Sequence, residues 1–247
     1  MRIAVAGGTG TVGREIVARA EARGHEAVVI ARAAGADLRT GAGVDAALAG
    51  ADAVIDAASV GTMSAEESTD FFRTASGTLL AAAARAGVPH AVLLSIVGVD
   101  RNPHGYYAGK VAQEAVYTES EVPWTIVRAT QFHEFAGQVA GQARLGFLQL
   151  APRARTQPVA AAAVADHLVT LAEGGPQGRT TDIAGPREEE LSQMVRAWVR
   201  HRGRRGPVWA VSLPGAQMRG MRQGLALPSD GAIRLGPTFA EWLAASA

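Results

Sequence analysis

The stretch that decides the fold is Met1-Arg-Ile-Ala-Val-Ala-Gly-Gly-Thr-Gly-Thr-Val-Gly13. Its short apolar run predicts a buried first strand, and glycines then recur at three-residue intervals, at Gly7, Gly10 and Gly13. Residues 12–22 predict a helix, and the succession of strand, glycine turn and helix is typical of dinucleotide binding. The spacing is G-x-x-G-x-x-G rather than the G-x-G-x-x-G of many dehydrogenases, and an ordinary glycine-rich turn is the alternative interpretation.

Each of these glycines has a predicted role beside a pyrophosphate. Gly7 lets the chain turn sharply, Gly10 leaves no side chain where the phosphates approach the backbone, and Gly13 lets the helix pack close to the strand. The helix N-terminus offers N–H groups and the positive end of its dipole to the phosphates. Besides Gly7 and Gly10, the cofactor candidates in this turn are Thr9, Thr11 and Val12.

The composition predicts a folded, soluble cytoplasmic protein. The 247 residues suit one large α/β domain with room for a small appended lobe, and 48% are hydrophobic against 19% charged. A net charge of +1 gives no field that favours nucleic acid. The absence of cysteine excludes disulfides and thiolate metal sites. A first strand that begins at residue 2 predicts no signal peptide, and the lack of a long apolar run predicts no membrane span.

Lysine occurs once, at Lys110, while the other basic side chains are arginines. Lysine is a compact point charge with a movable pKa, and arginine is neither. We therefore interpret Lys110 as a functional residue, with an exposed lysine kept by chance as the alternative.

Strands and helices alternate through residue 130, which predicts a doubly wound parallel sheet of the Rossmann type. Arg32 ends the second predicted strand with no acid beside it. It favours NADP(H) over NAD(H), because an arginine there accommodates a 2′-phosphate; a solvated strand-end charge is the alternative. Asp37 and Leu38 are placed near the adenine. The small residues predicted to lie against the adenosine or pyrophosphate are Ala57, Ala58 and Ser59.

A second group of polar residues follows the fourth predicted strand, residues 91–96. Ser95 lies at the carboxyl end of that strand, the edge where parallel sheets bind ligands. Tyr106 and Lys110 are four residues apart on the next predicted helix and share one face. Tyr107 is three residues from Lys110, so either tyrosine could face it, and the other is then a packing residue.

A serine after strand four, then Tyr-x-x-x-Lys behind an N-terminal glycine turn, resembles the short-chain dehydrogenase/reductase superfamily. With the segment Pro123-Trp-Thr-Ile-Val-Arg-Ala-Thr-Gln-Phe132, the chain is most similar to the atypical, NmrA-like branch of NAD(P)H-binding proteins. The resemblance covers residues 1–135. It implies that Tyr106 is the general acid/base, that Lys110 holds the nicotinamide ribose and lowers the tyrosine pKa, and that Ser95 orients the substrate oxygen.

The residue types suit this chemistry. Hydride reduction of a carbonyl leaves an alkoxide that must be protonated, and a free tyrosine has a pKa of about 10. A nearby ammonium lowers that value, and a serine hydroxyl stabilises the developing oxyanion.

Residues 1–135 are predicted to form the dinucleotide-binding core, and residues 136–247 the remaining elements and a small C-terminal substrate lobe of the same structural unit. The predicted elements after the core are a helix and connector over 136–158, a helix over 159–173, a strand over 179–184, a helix over 188–201 and a strand over 207–213. The substrate candidates are Gln131, Phe132 and His133; proton transfer by His133 is not expected, and neither is a metal site.

These features favour an NADPH-dependent oxidoreductase that reduces a carbonyl or quinone-like group of a small molecule, as a monomer or homodimer without nucleic-acid or membrane partners. Two alternatives stay open. One is a non-catalytic NADP(H) sensor that regulates a partner, and the other is an epimerase or dehydratase on the same fold.

Overall fold

The computed structural model describes residues 1–142, 144–145, 148–204 and 206–246. The strands are β1 (Arg2–Ala6), β2 (Glu26–Ile30), β3 (Ala53–Asp56), β4 (Ala91–Ile96), β5 (Trp124–Ala129), β6 (Arg144–Leu145), β7 (Leu148–Pro152), β8 (Arg155–Thr156), β9 (Gly178–Arg179), β10 (Ile183–Ala184), β11 (Glu189–Glu190), β12 (Val208–Val211) and β13 (Ile233–Arg234). The helices are α1 (Thr11–Ala22), α2 (Val44–Leu48), α3 (Ala65–Arg85), α4 (Tyr106–Thr118), α5 (Phe135–Gln142), α6 (Ala161–Gly174), α7 (Leu191–His201), α8 (Ala216–Arg222) and α9 (Phe239–Ala245), with a 3₁₀ turn at Arg32–Ala34.

The chain forms two compact units. The first unit comprises Met1–Ile96, Pro103–Arg128 and Ala162–Thr181, and the second comprises Val97–Asn102, Ala129–Ala161 and Asp182–Ala247. The predicted functional division at residue 135 stays a prediction.

The first unit is built on a parallel sheet in the order β2–β1–β3–β4–β5, with β9 also pairing with β5. Its inner strands are largely apolar, as expected where helices cover a parallel sheet. Ile3, Val5 and Ile55 are fully buried. Helices α3 and α4 pack backbone to backbone at Gly109, where a Cβ atom would lie 2.6 Å from the backbone of Ser68. The parallel sheet confirms the predicted α/β fold class.

The second unit contains mostly short strands. β7 pairs with β12 in parallel and with β6 in antiparallel fashion, β8 pairs with β11, and β10 pairs with β13. Helix α7 is amphipathic and buries Met194 and Val195. His133, Phe239 and Trp242 pack their rings against one another.

The predicted elements agree closely with the structure through residue 130 and less well beyond it. The helix and connector predicted over 136–158 are wrong in part, because α5 ends at Gln142 and short strands follow; residues 143, 146 and 147 lie outside the described chain. The helix predicted from 188 begins at Leu191, since Glu189–Glu190 pairs with β8 instead. The strand predicted over 179–184 is interrupted, and Arg32 lies in a 3₁₀ turn rather than in β2.

Among the described residues, no helix is long and apolar enough to cross a membrane.

Candidate active site

The glycine turn between β1 and α1 is shaped by close backbone contacts. Gly7 has a φ of +74°, and a Cβ atom there would lie 2.7 Å from the carbonyl oxygen of Ala57. A Cβ atom at Gly13 would lie 2.1 Å from the Gly7 oxygen. Gly10 is exposed, and the nearest obstacle to a Cβ atom there is again the Gly7 oxygen, at 3.2 Å. Gly7 and Gly13 therefore allow the turn to close, while Gly10 keeps its outer surface free of a side chain.

The turn fits a pyrophosphate. Gly10 is the N-cap of α1 with extended backbone and no side-chain cap, and the first turn of the helix contains no acidic residue. The positive end of the helix dipole is thus not neutralised by its own first turn. Thr9 is exposed, Thr11 is half-buried and Val12 is buried.

Arg14 is a residue of this turn that sequence reasoning missed. Its Nη1 donates a 2.7 Å hydrogen bond to the carbonyl oxygen of Thr9. A cation in the first turn is unfavourable for an isolated helix, since it faces the positive end of the dipole. That unfavourable position was the available signal, and it suits a site that receives phosphates.

The residues predicted to contact the adenosine lie after β2. Arg32 is exposed at the start of the 3₁₀ turn, and no carboxylate in the described ranges pairs with it. Asp37 accepts a 2.8 Å hydrogen bond at Oδ1 from the backbone N–H of Arg39. Leu38 packs against the core of the first unit. The Asp37 carboxylate therefore stabilises its own turn.

Asp56, at the end of β3, was not singled out from the sequence and is the centre of a buried polar network. Its Oδ1 accepts a hydrogen bond from the backbone N–H of Ala58, at 3.0 Å. Its Oδ2 accepts from Ser76 Oγ at 3.1 Å, Gln113 Nε2 at 2.9 Å and Tyr117 Oη at 3.2 Å. Burial and the neighbouring carboxylate raise the pKa of Tyr117, which stays a neutral donor. This network fixes the loop of Ala57, Ala58 and Ser59, whose first two residues contact the glycine turn.

Tyr106 and Ser59 bring two hydroxyl groups together at this loop, with 2.9 Å between the Tyr106 hydroxyl and Ser59 Oγ. The ring of Tyr106 meets Phe72 edge to face, with 5.5 Å between centroids. Burial raises the pKa of the Tyr106 phenol; the Ser59 hydrogen bond opposes that shift and the Asp56 carboxylate adds to it. The phenol is therefore protonated near neutral pH. Tyr107, by contrast, is buried.

Lys110 is buried and does not hydrogen-bond to Tyr106 in the described chain. Its Nζ donates to the carbonyl oxygen of Leu94 at 2.8 Å and to Gln113 Oε1, and lies 4.8 Å from the ring centroid of Phe72. Burial lowers the pKa of the ammonium to about 8, against the attraction of neighbouring carboxylates. The lysine is thus engaged with the sheet and with the Asp56 network.

Ser95 is buried in a charged cluster that the sequence did not reveal. Its hydroxyl donates to Glu114 Oε1. Glu114 also forms two 2.7 Å hydrogen bonds with Arg128, and both side chains are largely buried. The available signal was spacing, since Glu114 follows Lys110 by four residues on α4. Contact of Ser95 with a substrate stays a prediction.

The substrate candidates Gln131 and Phe132 belong to the second unit. Gln131 Oε1 accepts a 2.6 Å hydrogen bond from Thr156 Oγ1, and Phe132 forms a parallel bridge with Val159. Both side chains are half-buried.

His133 is fully buried in the same unit. Its Nε2 lies 3.0 Å from the carbonyl oxygen of Pro237, and its ring packs against Phe239 and Trp242. Burial lowers its pKa, so the neutral ring donates to that carbonyl. The described residues include no group of three or more His, Cys, Asp or Glu side chains that could hold a metal ion.

Comparison with known proteins assigns the class. Residues 7–174 match a family model described as NAD(P)H-binding. The chain therefore belongs to this NAD(P)H-binding family, which confirms the prediction that it is an NAD(P)H-binding protein. A search of curated proteins finds no match.

Three solved structures illustrate the fold. The NADPH-dependent quinone oxidoreductase QOR2 of Escherichia coli, complexed with NADPH, is 19% identical over 98% of each chain, with a TM-score of 0.73. A UDP-N-acetylglucosamine 4-epimerase of Bacillus cereus is 14% identical over 98% of this chain and 94% of that one, with a TM-score of 0.70. A short-chain dehydrogenase/reductase superfamily protein of Agrobacterium tumefaciens with bound NAD is 16% identical over 99% and 95%, with a TM-score of 0.68. At these identities the likeness shows a shared fold.

Proposed function

We propose that the protein is an NADPH-dependent oxidoreductase that reduces a carbonyl or quinone-like group of a small organic molecule, with Tyr106 as the general acid. The observation that carries this proposal is the hydrogen bond between the Tyr106 and Ser59 hydroxyl groups. Ser59 belongs to the loop that contacts the glycine turn. The proposed proton donor on α4 and the glycine turn therefore both contact the loop of residues 57–59.

Several residues support NADPH as the cofactor. Gly7, Gly10 and Gly13 shape a turn that fits its pyrophosphate, and Arg32 is an exposed guanidinium after β2 that suits the 2′-phosphate. The bound nicotinamide would supply the hydride. The E. coli neighbour is itself named an NADPH-dependent quinone oxidoreductase.

The protonation state of Tyr106 favours the reductive direction. A protonated phenol can donate to the oxyanion left by hydride addition, but it is a poor base for oxidising an alcohol. Ser59 is exposed, so its hydroxyl can pass a proton from solvent to the phenolate after each turnover.

One observation favours the alternative of a non-catalytic NADP(H) sensor. The Lys110 ammonium is engaged by Leu94 and Gln113 and does not lower the tyrosine pKa, which is raised instead. Under this alternative the protein binds NADPH but does not oxidise it with any acceptor. Epimerisation or dehydration would use the same turn but leave the dinucleotide without net redox change.

The test compares Tyr106→Phe with the wild type and with Tyr107→Phe as a matched control. We expect both variants to bind NADPH within about twofold of the wild type by fluorescence titration. Against a panel of aldehydes, ketones and quinones, Tyr106→Phe should lower carbonyl turnover about 10²–10⁴-fold, the usual contribution of a general acid, while the control stays within a few fold.

The carbonyl turnover of the wild type should also stay constant up to about pH 9, because the pKa of the Tyr106 phenol lies above its ordinary value of about 10. Unchanged turnover in Tyr106→Phe would contradict the mechanism. Tight NADPH binding with no oxidation by any acceptor would support the sensor instead.

A further inference from the structure

The second unit contains a cavity of about 360 Å³, which is within the roughly 300–1,000 Å³ typical of small-molecule sites. The arginines that line it come from three places along the chain. Arg155 is the first residue of β8 and Arg153 lies two residues before it. Arg196 lies on α7, and Arg222 is the last residue of α8. The function proposed above uses none of these residues.

Backbone carbonyls hold two of these guanidinium groups without neutralising them. Arg196 Nη2 donates to the Val208 oxygen at 3.1 Å, and Arg222 Nη1 donates to the Leu213 oxygen at 2.8 Å. Within the ranges that the structure describes, no carboxylate pairs with Arg153, Arg196 or Arg222. Three positive charges therefore line the cavity without a carboxylate partner of their own.

The two nearby carboxylates already accept hydrogen bonds from the protein. Glu188 pairs with Arg155 through two hydrogen bonds of 2.6 and 3.1 Å. Glu190 lines the cavity, but its oxygens accept from the backbone N–H of Ala154 at 3.1 Å and of Gln193 at 3.2 Å, where it caps α7. The lining residues therefore keep a net positive charge.

We propose that this cavity binds the phosphate group of a small phosphorylated molecule. Guanidinium forks bind phosphate oxygens in pairs. Three arginines without an ion-pair partner outnumber the single lining carboxylate, Glu190, and therefore suit a dianion better than a monoanion. The remaining lining residues are small or polar, namely Ala154, Ala210, Ser192 and Gln193. Because no aromatic ring occurs among the described lining residues, the ligand is recognised by its charge rather than by stacking. The proposal does not depend on the reductase activity.

The site is tested by isothermal titration of the full-length protein with glycerol phosphate at constant ionic strength. Saturating NADPH is present so that the glycine turn is occupied. We expect one equivalent to bind, with affinity weakened at least tenfold by Arg196→Gln and by Arg222→Gln. Arg153→Gln should weaken it as well, and this exposed side chain makes no hydrogen bond within the described residues that folding would lose.

Two controls make the result decisive. Arg200→Gln removes an exposed arginine from the same helix outside the cavity and should leave the affinity unchanged. Succinate, a dianion without phosphate, should bind at least tenfold more weakly than glycerol phosphate. Equal loss in Arg200→Gln, equal affinity for succinate, or no binding to the wild type would overturn the proposal.

A further variant distinguishes an error in the proposed NADPH site from an error in the proposed phosphate site. The variant Arg32→Ala should weaken NADPH binding and leave glycerol phosphate binding intact. If Arg32→Ala abolished glycerol phosphate binding, the phosphate would be bound at the dinucleotide turn and the proposed cavity site would be wrong.

Discussion

Lys110 gives a sharp test of the site, because it is the only lysine in the sequence and a lysine-selective label therefore reports on one group. Its ammonium is buried, donates to the carbonyl of Leu94 and to Gln113, and lies over Phe72. Burial lowers its pKa to about 8, whereas in the unfolded chain it should titrate near 10.4. We expect the single side-chain signal of ¹³C,¹⁵N-lysine-labelled protein to titrate with a midpoint near pH 8.

The lowered pKa of Lys110 makes the folded protein more stable as the pH rises. Between about pH 8 and pH 10.5 the unfolded chain binds more protons at this lysine than the folded protein, so this group's contribution to stability rises with pH. From pH 7.5 to pH 10 the gain integrates to about 2 kcal/mol. The contribution of other titrating groups cancels when the wild type is compared with Lys110→Met, which lacks the titration.

The assay is urea unfolding of both proteins at the two pH values. We expect the wild type to gain about 2 kcal/mol relative to Lys110→Met on going from pH 7.5 to pH 10. Tyr106→Phe keeps the ammonium and serves as the control that retains the gain. A midpoint near pH 10.4 in the labelled protein, together with no differential gain, would refute the buried position of this ammonium.

Three further predictions concern the cofactor turn and the buried ion pair. Arg32→Ala should weaken NADPH binding at least tenfold and leave NADH binding unchanged in a fluorescence titration; equal weakening of both would contradict the 2′-phosphate role. Gly13→Ala should destabilise the fold by about 1–3 kcal/mol or more, because its Cβ would meet a backbone oxygen at 2.1 Å. Gly77→Ala, with nothing within 4 Å, should be neutral or stabilising in the same thermal melt. Arg128→Leu should cost about 3–5 kcal/mol in urea unfolding, since it removes the ion-pair partner of the largely buried Glu114 carboxyl group; a loss below about 1 kcal/mol would contradict that.

The first half of the fold could be predicted because its signals are local. A largely apolar run marks each buried parallel strand, and the position of β4 at Ala91–Ile96 agrees with its prediction. Gly7 adopts the positive φ that the turn requires. The close contact of Gly13 with the Gly7 backbone explains why α1 packs tightly against the turn.

The second unit lacks such signals. β6, β8 and β11 are two residues long, too short for an alternating pattern to show. The glutamates at 189 and 190 carry a charge pattern that suits the start of a helix, but pairing with β8 places them in a strand and leaves Glu190 as the cap of α7. This pairing is a tertiary contact between segments more than thirty residues apart, and local propensity does not contain it.

The contacts of the candidate site residues likewise could not be predicted from local sequence. Helical spacing correctly puts Tyr106 and Lys110 within a turn of each other, but it does not say what lies between them and the sheet. Phe72, from the preceding helix, meets the ring of Tyr106 edge to face and lies under the Lys110 ammonium. A residue more than thirty positions away therefore contacts both groups, and the direct Tyr106–Lys110 pair that their spacing favours does not form within the described residues.

The lysine and the tyrosine are nevertheless joined, by a path through the Asp56 network. Lys110 donates to Gln113, Gln113 donates to Asp56, and Asp56 accepts from the backbone of the loop that ends at Ser59. Ser59 in turn meets the hydroxyl of Tyr106. Because Asp56 fixes that loop, we expect the buried ammonium to influence the position of Tyr106 rather than to lower its pKa. Replacing Lys110 should then alter the placement of the phenol while its pKa stays high, which separates this arrangement from a lysine that activates tyrosine directly.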